Sequence, residues 1–168
     1  MKQRYLQAIL IGIVAGVILI ISHIIFVAAG FTGSFIIPFF GCALGCVEWI
    51  LVAAFLAGVG WYTANYTWAN RSDAISLAAL AGLVAGTVNQ SIGLLVGLIL
   101  LPIAGIIGAI AGYAVAGDNN PLFTAGLAGA AGISIALLII ILQFLFWVVF
   151  SVVFSAIGGA IYSAQSRK

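Results

Sequence analysis

The chain has 168 residues, of which 65% are hydrophobic and 5% charged, with five basic and three acidic side chains for a net charge of +2. A soluble domain carries about 25% charged residues, so this composition excludes a water-soluble globule and makes lipid the solvent for most of the surface. The small, dispersed positive charge also gives no basis for nucleic-acid binding.

Four apolar stretches follow one another: Ala8–Ala29, Phe35–Thr63, Ile75–Ala116 and Leu122–Ser163. Each is long enough for a bilayer core, which takes about 20 apolar residues. Backbone groups in lipid must be bonded internally, which leaves helices or a closed barrel. Barrel strands alternate apolar and polar residues. Ile133–Phe150 does not alternate, so the stretches read as helices.

The first stretch follows Met1-Lys2-Gln3-Arg4-Tyr5 and resembles a signal peptide at its start. Its apolar run of about 20 residues is longer than the 7–15 of a signal core, so it reads as a retained first membrane helix. It carries Gly12-x-x-x-Gly16 and the single histidine, His23. At about 100° per residue, His23 falls on the same helix face as both glycines. Pigment binding through His23, as to a tetrapyrrole, is a further reading of this position.

The second stretch carries Gly41-x-x-x-Gly45, Cys42, Cys46 and Glu48. Residues four apart on a helix do not readily reach disulfide geometry, so the cysteines read as small buried thiols that aid packing. Glu48 is the one charged residue inside an apolar stretch. It lies on the face of Gly41 and Gly45. A carboxylate at mid-bilayer costs roughly 2.5–3.5 kcal/mol on insertion scales, so it needs a proton, a hydrogen bond or a partner. With α-helical rise, His23 and Glu48 fall at similar depths. A His23–Glu48 contact is therefore one expectation. Separate hydrogen bonds to backbone or hydroxyls, and a proton-carrying role for Glu48, are the others.

Residues Ala64–Asp73 read as a solvated connector, with Ser72 or Asp73 as a cap for the next helix. The third stretch carries Gly82-x-x-x-Gly86, Asn89, Gln90, Gly93-x-x-x-Gly97 and Gly108-x-x-x-Gly112. Asn89 stands to Gly82 and Gly86 as Glu48 stands to Gly41 and Gly45. The fourth stretch begins after the turn Asp118-Asn119-Asn120-Pro121, where proline can open a helix. Its middle holds Gln143 and the aromatic run Phe144-Leu145-Phe146-Trp147, which suits lateral partners. Glycines four apart let a second backbone approach closely, and association in lipid depends on such packing.

The last two stretches would each rise about 63 Å as single helices, twice a hydrocarbon core of about 30 Å. Folding each back predicts tips between Asn89 and Pro102 and between Ile140 and Trp147. The expected fold is then an all-α membrane domain over 1–168, a six-helix bundle of three hairpins at 6–64, 74–117 and 121–164. Four helices are the alternative. Six helices would put all five basic residues (Lys2, Arg4, Arg71, Arg167 and Lys168) and all five tyrosines on one face. The positive-inside rule makes that face, with both termini, cytoplasmic. A faint repeat at an offset of 47 agrees, aligning Leu80-Ala81-Gly82 with Leu127-Ala128-Gly129 and Ala109–Tyr113 with Ala156–Ala160.

The run Ile107-Gly108-Ala109-Ile110-Ala111-Gly112-Tyr113-Ala114-Val115-Ala116-Gly117 resembles small glycine-rich prokaryotic membrane proteins of unknown function. The resemblance covers roughly Ile75–Lys168. It implies a polytopic bundle and brings no activity or functional residue with it.

No nucleophile–base set, phosphate loop or zinc motif is present in the sequence, so no enzyme, metal or cofactor function is expected. The first expectation for function is a structural or accessory subunit of a larger membrane assembly, partnered by lipid and by other subunits or copies of itself. The alternative is a small transporter or channel that uses His23, Glu48, Asn89, Gln90 and Gln143.

Overall fold

The computed structural model describes residues 2–34, 40–115 and 121–166, with the backbone alone at residues 30–34, 40–42, 71 and 121. Among the described residues there are four helices: α1 (Lys2–Ser34), α2 (Phe40–Tyr66), α3 (Arg71–Val115) and α4 (Pro121–Gln165). All four are long and apolar enough to cross a membrane, which makes this a multi-pass membrane protein.

The six-helix expectation is wrong. Neither Asn89–Pro102 nor Ile140–Trp147 turns back, and α3 and α4 are each continuous over 45 residues. The hairpins expected at 74–117 and 121–164 are therefore one helix each. A fold-back would need a run of turn residues, and neither segment has one. In lipid a broken ladder leaves backbone groups without partners. Pro102 lies inside α3 and does not end it.

The connections also differ from expectation. Helix α1 runs on past the first apolar stretch, Ala8–Ala29, to Ser34. The turn expected at Asp118–Pro121 lies outside the described residues apart from Pro121, which begins α4 as expected. Residues 67–70 alone join α2 to α3; Trp68 and Asn70 are exposed, as a solvated connector would have them, while Thr67, Ala69 and the preceding Ala64 are buried. The Trp68 N–H donates to the Asn65 carbonyl and the Ala69 N–H to the Ala64 carbonyl, the pattern of a Schellman cap. Trp68 fills its left-handed position, φ 48°, where glycine is usual. Helix α3 starts at Arg71, one to two residues before the expected cap, so Asp73 sits in its first turn, favourably for the helix dipole.

The chain forms two compact units. The first comprises Met1–Gln90 and Trp147–Lys168, so it contains α1, α2 and one segment each of α3 and α4. A Cβ on Gly12 or Gly16 would run into Ala81, Val84, Ala85 and Val88, which fixes α1 alongside α3 in parallel. A Cβ on Gly82 or Gly86 would strike Ser151 and its neighbours, which sets α3 antiparallel to α4. Gly60 meets the Ser155 backbone and Gly158 meets Ala57 and Trp61, so α2 packs on α4, and Trp49 beside Trp147 with Trp61 beside Gln165 sets the two helices parallel. The Trp61 indole N–H donates to Gln165 Oε1 at 2.9 Å in the same register. The start of α1, the end of α2, the start of α3 and the end of α4 thus share one end of this unit.

The core of the first unit is built mainly from small residues. Ala15, Leu19, Val52, Leu56, Val59, Ala81, Ala85 and Trp147 form one cluster; Ala8, Ala64, Ala69, Ala74 and Leu77 form a second. Trp147 is 7% exposed, so it belongs to the core and not to a lateral face. Its ring stacks on Trp49 at 4.7 Å, and Phe150 meets both edge-on.

The second unit, Ser91–Phe146, is an antiparallel pair of α3 and α4 segments. Gly97 packs on Ile140, Gly105 on Ile133, Gly108 on Ala128, and Gly112 on Thr124 and Ala128. Gly93 is exposed.

Two sequence readings change at α2. A Cβ on Gly45 would meet no described atom within 4 Å, so Gly45 does not make the helix contact expected of its stripe among the described residues. The side of Gly41 lies outside the described residues. Cys46 is a free, exposed thiol and not a buried packing residue; the Cys42 side chain also lies outside them.

The glycine contacts give a graded test. Gly158→Ala should destabilise the protein by about 1–3 kcal/mol, as overpacking does, because its Cβ would overlap the Ala57 carbonyl. Gly45→Ala should leave the melting temperature in mild detergent unchanged. Equal effects of the two would refute the packing described.

Candidate functional site

The ionisable residues of α1 and α2 that lie within apolar sequence meet. His23 Nδ1 is 2.7 Å from Glu48 Oε1. The two antiparallel helices bring them to one depth, as their rise suggested. With Glu48 ionised, the Nδ1–H donates to the carboxylate; with Glu48 protonated, its O–H donates to Nδ1. The side chains are unequally placed, His23 51% exposed and Glu48 12%. His23 therefore does not point into the bundle as its glycine face suggested. It reaches across to α2 because its carboxylate partner stands there.

In a medium without water, such a pair compensates what either group would cost alone. Truncating one partner leaves the other buried or lipid-facing without its bond, which is the costly case. Chemically, one imidazole and one carboxyl can share or exchange a proton.

Among the described residues, no hydrogen bond joins the other polar residues singled out in the sequence to this pair. Asn89 and Gln90 are partly buried in the first unit, and Gln143 is exposed in the second. None makes a side-chain hydrogen bond to another described residue. Among the described residues no group of three or more His, Cys, Asp or Glu side chains could hold a metal ion.

Several polar positions escaped the sequence reading. Ser155 Oγ donates to the Ala78 carbonyl at 2.7 Å, joining α4 to α3. Thr63 and Thr67 are buried and donate to Val59 and Thr63 carbonyls one turn back. Ser151 Oγ is buried with no hydrogen-bond partner among the described residues. The signal was present: Ser151, Ser155 and Gly159 stand four apart, the small-residue spacing that suits close helix pairs. Counting glycines alone missed it.

One cavity of about 620 Å³ opens between α1 and α2 at the shared end of the first unit. Gln7, Tyr62 and Tyr66 are its polar members, and the rest of its wall is apolar.

No family model matches the chain, and neither does any curated protein or solved structure.

The pair yields a mutational prediction. Glu48→Gln keeps a hydrogen bond to His23 and should leave folding intact. Glu48→Leu strands the imidazole and should cost about 1–3 kcal/mol, read as a lower melting temperature in detergent. Equal stability of the two variants would remove the structural role assigned to the pair.

Proposed function

We propose that this protein is a non-enzymatic structural or accessory subunit of a larger membrane assembly. One observation carries this reading. Helices α3 and α4 are each apolar over 44 residues, Ser72–Val115 and Leu122–Gln165. A bilayer core accommodates about 20. Lipid covers one crossing of such a helix, and the apolar length beyond it requires other apolar cover. Further membrane subunits or copies of this chain supply that cover by packing against it. Ile99, Ile106, Ile107 and Ile110 offer a contiguous exposed surface for them in the second unit.

The polar groups fit the same reading. His23 and Glu48 compensate each other between α1 and α2, which suits a brace. The alternative, a small transporter or channel around Glu48, draws on the same pair as a proton-exchanging site within membrane-spanning sequence.

The orientation follows from charge. Lys2, Arg4 and Arg71 stand at the shared end of the first unit, so that end faces the cytoplasm, together with both termini. Cysteines introduced at Gln3 and Ser166 should then react with an impermeant maleimide only in inverted vesicles. Reaction at either site in sealed, right-side-out vesicles would reverse the assignment.

Affinity-tagged protein extracted in mild detergent should carry a membrane partner, or further copies of itself, in fixed stoichiometry. Ile99→Trp with Ile110→Trp should strip that partner while the melting temperature holds. Purified protein in liposomes should show no proton or solute flux. A flux that Glu48→Gln abolishes at wild-type stability would replace this reading with the transporter.

A further inference from the structure

The cavity between α1 and α2 is built differently along its length. Its α1 wall is Gln7, Leu10, Ile11, Val14, Ala15 and Ile18. Its α2 wall is Phe55, Gly58, Val59, Tyr62 and Tyr66. Because the two helices are antiparallel, Gln7 stands with Tyr62 and Tyr66 at one end and Ile18 with Phe55 at the other. The polar end is the end at which α1 begins. From Gln7 to Ile18 the helix rises about 17 Å, roughly half a hydrocarbon core of about 30 Å. The groove therefore has the length of one leaflet's acyl chains. Its volume falls in the range of about 300–1,000 Å³ that holds small ligands. Leu10, Val14 and Ile18 are exposed on its outer side, so a chain can enter laterally from the bilayer.

The polar end has a charge. Arg4 is one turn before Gln7 and two turns before Ile11, on the face of α1 that lines the groove. Among the described residues no carboxylate pairs with it. Tyr62 and Tyr66 stack at 5.7 Å, which places both rings on that rim. A guanidinium, two phenols and a side-chain amide at headgroup depth suit an anionic phosphate, which arginine binds with two parallel hydrogen bonds. The apolar wall suits the chain beneath it.

Gly58 gives the groove its room. It lines the cavity, and a Cβ there would meet nothing within 4 Å. This is unlike Gly60 two residues later, which is held against the Ser155 backbone. A glycine is not needed at position 58 for helix packing, and its absent side chain leaves space on the groove floor.

We propose that the α1–α2 groove is a binding site for an anionic phospholipid, with one acyl chain lying along Leu10–Ile18 and its phosphate at Arg4, Gln7, Tyr62 and Tyr66. The site is independent of the accessory-subunit reading, since it lies wholly within the first unit.

The test is a lipid titration of the full chain in detergent, followed by native mass spectrometry, with phosphatidylglycerol and phosphatidylcholine of identical chains. The wild type should prefer phosphatidylglycerol by about fivefold, the effect of one basic residue near an anionic headgroup. Gly58→Leu extends a side chain into the groove from a position where a Cβ meets no neighbour; it should weaken phosphatidylglycerol binding by about tenfold and leave the melting temperature unchanged. Arg4→Gln should equalise the two lipids while retaining both. Equal binding of the two lipids by the wild type would overturn the headgroup assignment. Unchanged phosphatidylglycerol binding by Gly58→Leu at wild-type stability would overturn the groove. A dimer that dissociates in Gly58→Leu, with lipid binding unaltered, would show a second copy in the groove and would also overturn the proposal.

Discussion

The bundle depends on close approach of backbones across small residues. In lipid, moving an apolar side chain from hydrocarbon to protein interior gains little, so helices associate through packing and interhelical hydrogen bonds. Ala74, Ala78, Gly82 and Gly86 make a flat stripe on α3, and Ser151, Ser155 and Gly159 make its counterpart on α4. Ser155 also donates to the Ala78 carbonyl, which is reachable because the backbones are so near. Helix α1 repeats the device with Gly12 and Gly16 on another face of α3, and α2 repeats it with Gly60 against Ser155 and Ala57 against Gly158 of α4. Three helix pairs in the first unit thus rest on one physical idea, and bulky residues such as Leu56 and Trp147 fill what remains.

Helices α1 and α2 meet each other differently. The described contact with the clearest chemistry is the His23–Glu48 bond near one end, and near the other end the helices leave a groove. Gly45 and Gly58, both on α2, have open space where a Cβ would stand, whereas Gly60 does not. A polar bond at one end and a cavity at the other give this pair a specific geometry without the continuous small-residue contact of α3 and α4. That contrast is why the His23–Glu48 bond matters for the fold and why the groove can admit a lipid chain.

The length of α3 and α4 carries the functional reading. A continuous apolar helix of this length asks for more apolar cover than one bilayer crossing provides, and protein partners are the natural source. The membrane-embedded polar residues serve that reading too, since the pair on α1 and α2 is compensated internally. The same pair would be the first place to look for proton movement, so the two readings converge on one residue, Glu48, and separate on flux.

The sequence by itself determined the solvent, the helical class and the positions of most helix contacts. Scarce charge left lipid as the only medium, and four-residue glycine spacing marked Gly12, Gly16, Gly82, Gly86, Gly97, Gly108 and Gly112, each of which meets a neighbouring helix. Helix rise placed His23 and Glu48 at one depth, and the structure contains that contact. Helix number was not legible, because length alone cannot tell a hairpin from a continuous helix when no turn residues mark the choice. Nor could spacing say which stripe is covered: Gly45 has the spacing of Gly86 and no described neighbour, since a flat face only permits contact. Tertiary structure decided the partners, turning Trp147 inward, leaving Cys46 exposed and opening the groove beside Gly58. Those outcomes depend on which helices stand side by side, and local sequence does not encode that.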